Sequence, residues 1–124
     1  MTAYFDRLET RTADERESAL FRSLPAFVAH AKSSSPYYAK LLDGFNPAEI
    51  ASRRALAALP VTRKSQLMQQ QREMLPFGGF NTLACGEMAR IFASPGPIYE
   101  PEARRPDYWR SARALFAAGF ARAM

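Results

Sequence analysis

The sequence is poor in the residues that build disulfide frameworks and metal sites. It contains one cysteine, Cys85, and one histidine, His30, in 124 residues. A lone cysteine excludes an internal disulfide, and the chain has no set of Cys and His residues for a zinc site. Because absence of disulfides is typical of reducing compartments, we expect a cytoplasmic protein that binds no metal.

Long apolar runs are missing as well. The first residues, Met1 to Asp6, carry an acidic side chain early and lack the apolar region of a signal peptide. No apolar stretch approaches the roughly 20 residues that a membrane-spanning helix needs. We therefore expect a soluble protein with no membrane partner.

The composition is that of one small folded unit. Hydrophobic residues make up 48% of the chain, and nine Phe, five Tyr and one Trp are among them. This is enough apolar material for one core and too little chain for two cores of ordinary size. The sequence therefore predicts a single domain over residues 1–124.

The charge balance is moderately basic. Seventeen Lys and Arg against twelve Asp and Glu give a net charge of +5. An excess of Arg can attract phosphate, but these basic residues are spread along the chain, which is also typical of an ordinary charged surface. Because the sequence has no recognition motif and no dense basic stripe, we expect no nucleic-acid partner.

Helix signals dominate residues 1–75. Thr12 and Glu15 have the spacing of a capping box, and an apolar stripe follows at steps of three and four residues. Since Pro25 interrupts this stripe, we expect two helical pieces, 13–23 and 25–33. Four shorter helices are also predicted. One runs from Pro36 to a left-handed stop at Gly44, and the others begin after caps at Asn46, Ser52 and Thr62.

The pattern changes after residue 75. Turn residues at 76–79 precede a short apolar run, 88–93, that predicts a strand. Several prolines then predict irregular chain from Ser94 to Pro106, and a final amphipathic helix is expected over 107–120. The predicted fold is thus mainly α-helical for 1–75, followed by a small α/β portion over 76–124.

Four motifs in this order resemble the opening of one enzyme family. They are Ser35-Pro36-Tyr37-Tyr38, the run Leu59 to Lys64 with Leu67, the turn Pro76-Phe77-Gly78, and the run Ala89 to Ser94. Together they are similar to the N-terminal segment of phenylacetate-CoA ligases, which belong to the adenylate-forming, AMP-binding acyl-CoA synthetase superfamily. The resemblance extends over about residues 20–120 and implies a truncated N-terminal subdomain of such an enzyme.

The resemblance also locates a phosphate loop. The family loop reads approximately Ser-Ser-Gly-Thr-Thr-Gly-Lys-Pro, and the matching residues here run from Ser94 to Pro101. By this match Ser94 and Gly96 are candidate cofactor-binding residues, and Lys64 is a third, although an exposed helix lysine is the ordinary alternative. Tyr99 replaces the second glycine and Glu100 replaces the lysine, so we expect weak affinity for phosphate.

A complete member of the family would use ATP, Mg and coenzyme A to convert an aryl or acyl carboxylate into its thioester, releasing AMP and pyrophosphate. The parts that hold adenine, metal and the catalytic lysine have no counterpart in this sequence. We therefore assign no catalytic residue and no metal ligand, and expect the chain to be inactive alone and to bind none of these cofactors tightly. A truncated gene product and a subunit that needs a partner chain are both compatible with this.

A second hypothesis is a non-catalytic interaction or oligomerisation module derived from the same family. An α/β domain that stops after one strand and one helix should expose apolar side chains, here Phe92, Trp109, Leu115 and Phe116. Such a surface favours association. This hypothesis predicts a dimer, and the ligase hypothesis predicts the missing remainder of the enzyme as partner.

Overall fold

The structure, a computed structural model, describes residues 4–120. The α-helices are α1 (Ala13–Ser34), α2 (Pro36–Leu41), α3 (Arg53–Ala57), α4 (Lys64–Glu73) and α5 (Ala112–Ala117), and the strands are β1 (Met88–Ser94) and β2 (Ile98–Ala103). Short 3-10 turns lie at Arg7–Thr10, Pro47–Glu49 and Cys85–Glu87. The predicted division into a helical part and a small α/β part is confirmed. Residues 1–3 and 121–124, which the predicted domain includes, lie outside the described residues.

Helix α1 begins at the predicted capping box. The Glu15 N–H donates to the Thr12 hydroxyl at 3.2 Å, and the Thr12 N–H donates to the Glu15 carboxylate at 2.7 Å. The prediction of two helical pieces is wrong, because α1 continues through Pro25 as one helix. Proline removes one backbone donor, whereas Leu24 and Val28 on either side are both buried in the same core and hold the helix together across it.

The helical part has its own hydrophobic core. Leu24 and Val28 of α1 pack with Leu42, which follows α2, and with Ile50, which follows the 3-10 turn at Pro47–Glu49. Each of the four is at most 9% exposed. This cluster fixes α2 and the Pro47–Glu49 turn against α1.

The turn at residues 75–79 follows α4 and packs both on α4 and on the residues at the start of α2. Gly78 and Gly79 have φ values of +64° and +74°, which glycine adopts without strain. A Cβ at Gly78 would lie 2.8 Å from the backbone carbon of Gln70, so the turn is packed directly on α4. The Gly79 carbonyl accepts from the Ser35 hydroxyl at 2.7 Å and from the Tyr37 N–H at 3.0 Å. The Pro-Phe-Gly segment therefore connects α4 with the start of α2, with Phe77 and Gly78 buried and Pro76 exposed.

Strands β1 and β2 form an antiparallel hairpin. Ser94 pairs with Ile98, Ala93 with Tyr99, and residues 95–97 make the turn between the strands. The prediction of β1 is confirmed, whereas the prediction of irregular chain through residue 106 is wrong. Pro101 was the reason for that prediction, but a two-stranded sheet has only edge strands, and edge strands tolerate proline.

The final helix is shorter than predicted. Instead of covering 107–120, α5 covers Ala112–Ala117, because Asp107 and Arg110 have left-handed φ values of 47° and 55° that no α-helix contains. The Asp107 carboxylate still accepts from the Ala112 N–H at 3.0 Å. As a result Trp109 lies in a turn before α5.

Two of the short helical signals were misplaced. Helix α4 begins at Lys64 with Arg63 at the cap position, and the Gln66 side chain accepts from the Arg63 N–H at 2.8 Å, so Thr62 is not the cap. Gly44 is not among the glycines with positive φ, so the predicted left-handed stop is wrong. None of the helices within residues 4–120 has the length and apolarity needed to cross a bilayer.

Candidate phosphate-loop hairpin and adjoining cleft

The hairpin turn lies against the first half of α4. Gly96, in the middle of this turn, has a φ of +153° and lies close to Met68, since a Cβ added to Gly96 would be 3.6 Å from the Met68 Cε. Ser94 is half-buried and Gly96 is exposed. Both predicted phosphate-loop residues are therefore at the tip of the hairpin, at the surface of α4.

Lys64 is the first residue of α4 and is exposed. It precedes Met68 by four residues, and residues four apart share one face of a helix. Lys64 thus lies one helical turn before the residue that Gly96 approaches. The structure places Gly96 against the middle of α4 and Lys64 one helical turn earlier, and the role of the three residues in cofactor binding stays a prediction.

The chemistry of the turn fits a phosphate group poorly. Phosphate loops bind through backbone N–H groups, but Pro95 and Pro97 have none. Glu100 is exposed two residues into β2, opposite Phe92, and its carboxylate repels phosphate. The residues present therefore do not match the donor set of a nucleotide site.

Strand β2 is held to α4 by one side chain. The Gln71 amide nitrogen donates to the Tyr99 carbonyl at 2.8 Å, and the Tyr99 N–H donates to the Gln71 amide oxygen at 2.9 Å. Gln71 is 4% exposed. Its side chain satisfies both backbone groups of one strand residue, as a neighbouring strand would. Sequence reasoning missed Gln71, since nothing distinguishes it from Gln69 and Gln70 beside it.

A second polar contact orients the turn before α5. The Trp109 indole N–H donates to the Glu102 carboxylate at 2.8 Å, and the other oxygen of that carboxylate lies 3.9 Å from the Arg90 Nε. Glu102 is among the buried charged residues. This buried carboxylate on β2 sets the position of Trp109 beside the hairpin.

A cleft of about 330 Å³ opens between α4, β2, the 76–83 segment and this turn. Its lining is mostly apolar, and six aromatic side chains contribute to it: Tyr38, Phe77, Phe80, Tyr99, Tyr108 and Trp109. Glu100 also lines the cleft. Tyr38 belongs to the Ser35-Pro36-Tyr37-Tyr38 motif, whereas nothing in the sequence indicated that Tyr108 and Trp109 contribute to a cleft.

Other reactive residues lie outside the aromatic cleft. Within residues 4–120, no three His, Cys, Asp or Glu side chains are grouped so as to hold a metal ion. The His30 Nδ1 lies 3.3 Å from the Ser34 hydroxyl, and Cys85 is exposed. Neither lines the aromatic cleft.

Comparison with known proteins gives a fold match without a sequence-level match. No protein-family model and no curated protein sequence matches the chain. Among solved structures, 2-hydroxyisobutyryl-CoA ligase in the postadenylation state with 2-HIB-AMP is 26% identical with a TM-score of 0.76, and covers 87% of this chain and 24% of its own. The same ligase with R3-HIB-AMP is 25% identical with a TM-score of 0.78, and covers 90% of this chain and 25% of its own.

The chain therefore has the fold of a portion of an adenylate-forming enzyme, and it spans about a quarter of the length of the ligase structures it matches. The particular protein that it resembles is an acyl-CoA ligase, whose solved complexes also include one with 2-HIB-AMP and CoA in the thioesterification state. The resemblance to the superfamily is confirmed, and the phenylacetate-CoA ligase subfamily stays a prediction.

Proposed function

We propose that this chain is the N-terminal segment of an acyl-CoA ligase of the phenylacetate-CoA ligase kind, and that it is inactive alone. The observation that carries the proposal is the fold match, which includes 87–90% of the chain and thus both the helical part and the hairpin. The assignment to the phenylacetate-CoA ligase subfamily rests on the four sequence motifs.

In the complete enzyme, a carboxylate would attack the α-phosphate of ATP to give an acyl-AMP and pyrophosphate, and the thiol of coenzyme A would then displace AMP. Such chemistry depends on phosphates and metal held in a preorganised site. The turn at 95–97 lacks two backbone donors, and Glu100 lies beside it. ATP, Mg and coenzyme A would therefore be bound by the remainder of the enzyme, with this chain as scaffold.

An AMP-release assay tests the proposal. The purified chain is supplied with ATP, Mg, coenzyme A and either phenylacetate or 2-hydroxyisobutyrate, and we expect no AMP above the protein-free background. Thioester formed by the chain alone would contradict inactivity. The coding sequence adjoining that of this chain provides the second test, since it should encode the remaining ligase parts in the same frame or as a separate subunit.

A non-catalytic association module is the second candidate, and the exposed apolar side chains favour it. Phe92, Trp109 and Leu115 are 41%, 49% and 51% exposed, in agreement with the sequence-based expectation. Phe116 is instead half-buried, because its ring packs edge-to-face on Phe5 at 5.6 Å. A two-stranded hairpin is marginally stable by itself, so cover from a second chain would stabilise it.

The state of association distinguishes the second candidate. Light scattering at high concentration should give a dimer, and Phe92→Lys on β1, which puts a charge into this exposed apolar surface, should convert it to monomer. Val61→Lys is the matched control, because Val61 is 77% exposed but lies outside the hairpin. A monodisperse monomer of the unmodified chain at every concentration contradicts the module.

A further inference from the structure

The aromatic cleft has an unusual balance of charge for this chain. The whole sequence carries a net charge of +5, yet the residues that line the cleft include one carboxylate, Glu100, and neither lysine nor arginine among the described residues. An apolar site with one charged group selects ligands by the sign of that charge. Here the sign is negative.

The rings of the cleft reinforce this sign. The face of an aromatic ring is electron-rich and attracts cations, with Trp and Tyr most effective. Tyr108 and Trp109 meet edge-to-face at 5.0 Å, and the indole N–H of Trp109 is bound to the Glu102 carboxylate. A hydrogen bond to an anion both fixes the indole and makes its ring more electron-rich. The lining of the cleft thus contains two electron-rich rings together with a carboxylate.

One nearby ring already interacts with a cation. The guanidinium carbon of Arg105 lies 5.4 Å from the centre of the Tyr108 ring. Arg105 does not itself line the cleft, but its positive charge is close enough to repel a cation that binds there. Removing this charge should therefore strengthen cation binding.

From these observations we propose that the cleft between α4, β2 and the Tyr108–Trp109 turn binds a small organic cation, such as a quaternary ammonium compound. The cation would lie against Tyr108 and Trp109, with Glu100 as its counter-charge. The volume of about 330 Å³ suits a ligand of this size. A carboxylic acid would be repelled, so this site is separate from the acid-activating chemistry proposed for the complete ligase.

Titration of the intact chain with choline and benzyltrimethylammonium tests the proposal. Trp109 is the single tryptophan, so its fluorescence reports binding at the cleft directly. The neutral control is 3,3-dimethyl-1-butanol, which has the shape of choline with carbon in place of the charged nitrogen. The anionic control is phenylacetate. We expect saturable fluorescence changes with the cations. The affinity for both controls should be weaker by about threefold or more.

Three variants locate the effect. Glu100→Gln should weaken benzyltrimethylammonium binding about three- to fivefold, Arg105→Gln should strengthen it, and Asp14→Asn should leave it unchanged because Asp14 is on the first turn of α1, outside the cleft. Amide chemical shifts measured in the same titrations show whether each variant keeps its fold.

Equal binding of the neutral isostere, tighter binding of phenylacetate, no binding of either cation at tens of millimolar, or an Asp14→Asn effect as large as that of Glu100→Gln would each overturn the proposal. None of these results would alter the fold match on which the ligase proposal rests, so the two fail separately.

Discussion

The helical region, residues 4–75, and the hairpin region, residues 76–120, differ in what holds them together. The first packs Leu24, Val28, Leu42 and Ile50 into one cluster supplied by three consecutive elements. The buried hydrophobic residues of the second are Phe77, Met88 and Ile98, and none of them belongs to that cluster. The helical region is thus organised by its own core.

The hairpin region is organised by contacts to the helical region. Gln71 of α4 binds both backbone groups of Tyr99, Gly78 packs on the backbone of Gln70, and Arg113 of α5 is paired with Asp6 and Glu9 near the start of the chain. A hairpin can therefore have a defined position and still expose apolar side chains, as Phe92 and Trp109 do here. This agrees with a fold that spans about a quarter of the ligases it matches.

The largest effect is expected in the helical core. Leu24→Ala should lower the free energy of unfolding by about 3 kcal/mol, because it leaves a cavity in the cluster. Leu20→Ala, one turn earlier on α1, changes the same residue type at a position that is 50% exposed and should cost little. Chemical denaturation of both variants measures the difference. Equal costs would mean that the helical region lacks a specific core.

A smaller effect is expected at the connector between the regions. Gly78→Ala forces a Cβ to within 2.8 Å of the Gln70 backbone at a φ of +64°, so we expect a loss of about 2 kcal/mol. Gly44→Ala is the control, since a Cβ there meets nothing within 4 Å. Thermal unfolding of both variants should separate them. A harmless Gly78→Ala would contradict the close packing of the turn on α4.

Removal of the Gln71 contact should loosen only the hairpin. Gln71→Ala leaves the Tyr99 N–H and carbonyl without their partner, at a cost of about 1 to 2 kcal/mol. Hydrogen exchange should accelerate in β1 and β2 while α1 keeps its protection. Gln69→Ala, at an exposed position on the same helix, should change neither region. Faster exchange throughout the chain would show that the two regions unfold as one unit.

The smallest effect is the pH response of the α1 capping box. The Thr12 backbone N–H lowers the pKa of Glu15 below its ordinary value of 4.5, with smaller contributions from the Thr12 hydroxyl and the Arg11 charge. A lowered folded-state pKa means that the stabilisation is present above the ordinary value and is lost as pH falls through the lowered one. Amide exchange in the first turn of α1 should therefore rise in acid, and Glu15→Gln should remove that dependence. If amide exchange in β1 and β2 increased at a higher pH than exchange in the first turn of α1, this prediction would be contradicted.

The local signals of the helical region could be predicted from sequence, because cap residues act over three or four positions. Thr12, Asn46 and Ser52 accept the backbone hydrogen bonds expected of caps, whereas Thr62 does not cap α4. The continuity of α1 through Pro25 could not be predicted in the same way. It depends on burial of Leu24 and Val28 against residues that follow much later in the chain.

The candidate site was predicted in part. The sequence located the β1 strand and the turn after it, but not β2, since Pro101 argues against a strand unless its neighbours are known. The hydrogen bonds of Gln71 and Trp109 were missed because their partners, Tyr99 and Glu102, become neighbours only when the chain folds. These are tertiary contacts, and a local sequence pattern does not predict them.

Titration of the intact chain with MgATP, followed by calorimetry and by amide shifts of residues 94–100, tests the central claim most directly. We expect no saturable binding at millimolar nucleotide, because the turn has two prolines and the neighbouring Glu100 opposes the phosphate charge. A dissociation constant tighter than about 10 μM, with shifts centred on Ser94 and Gly96, would contradict it.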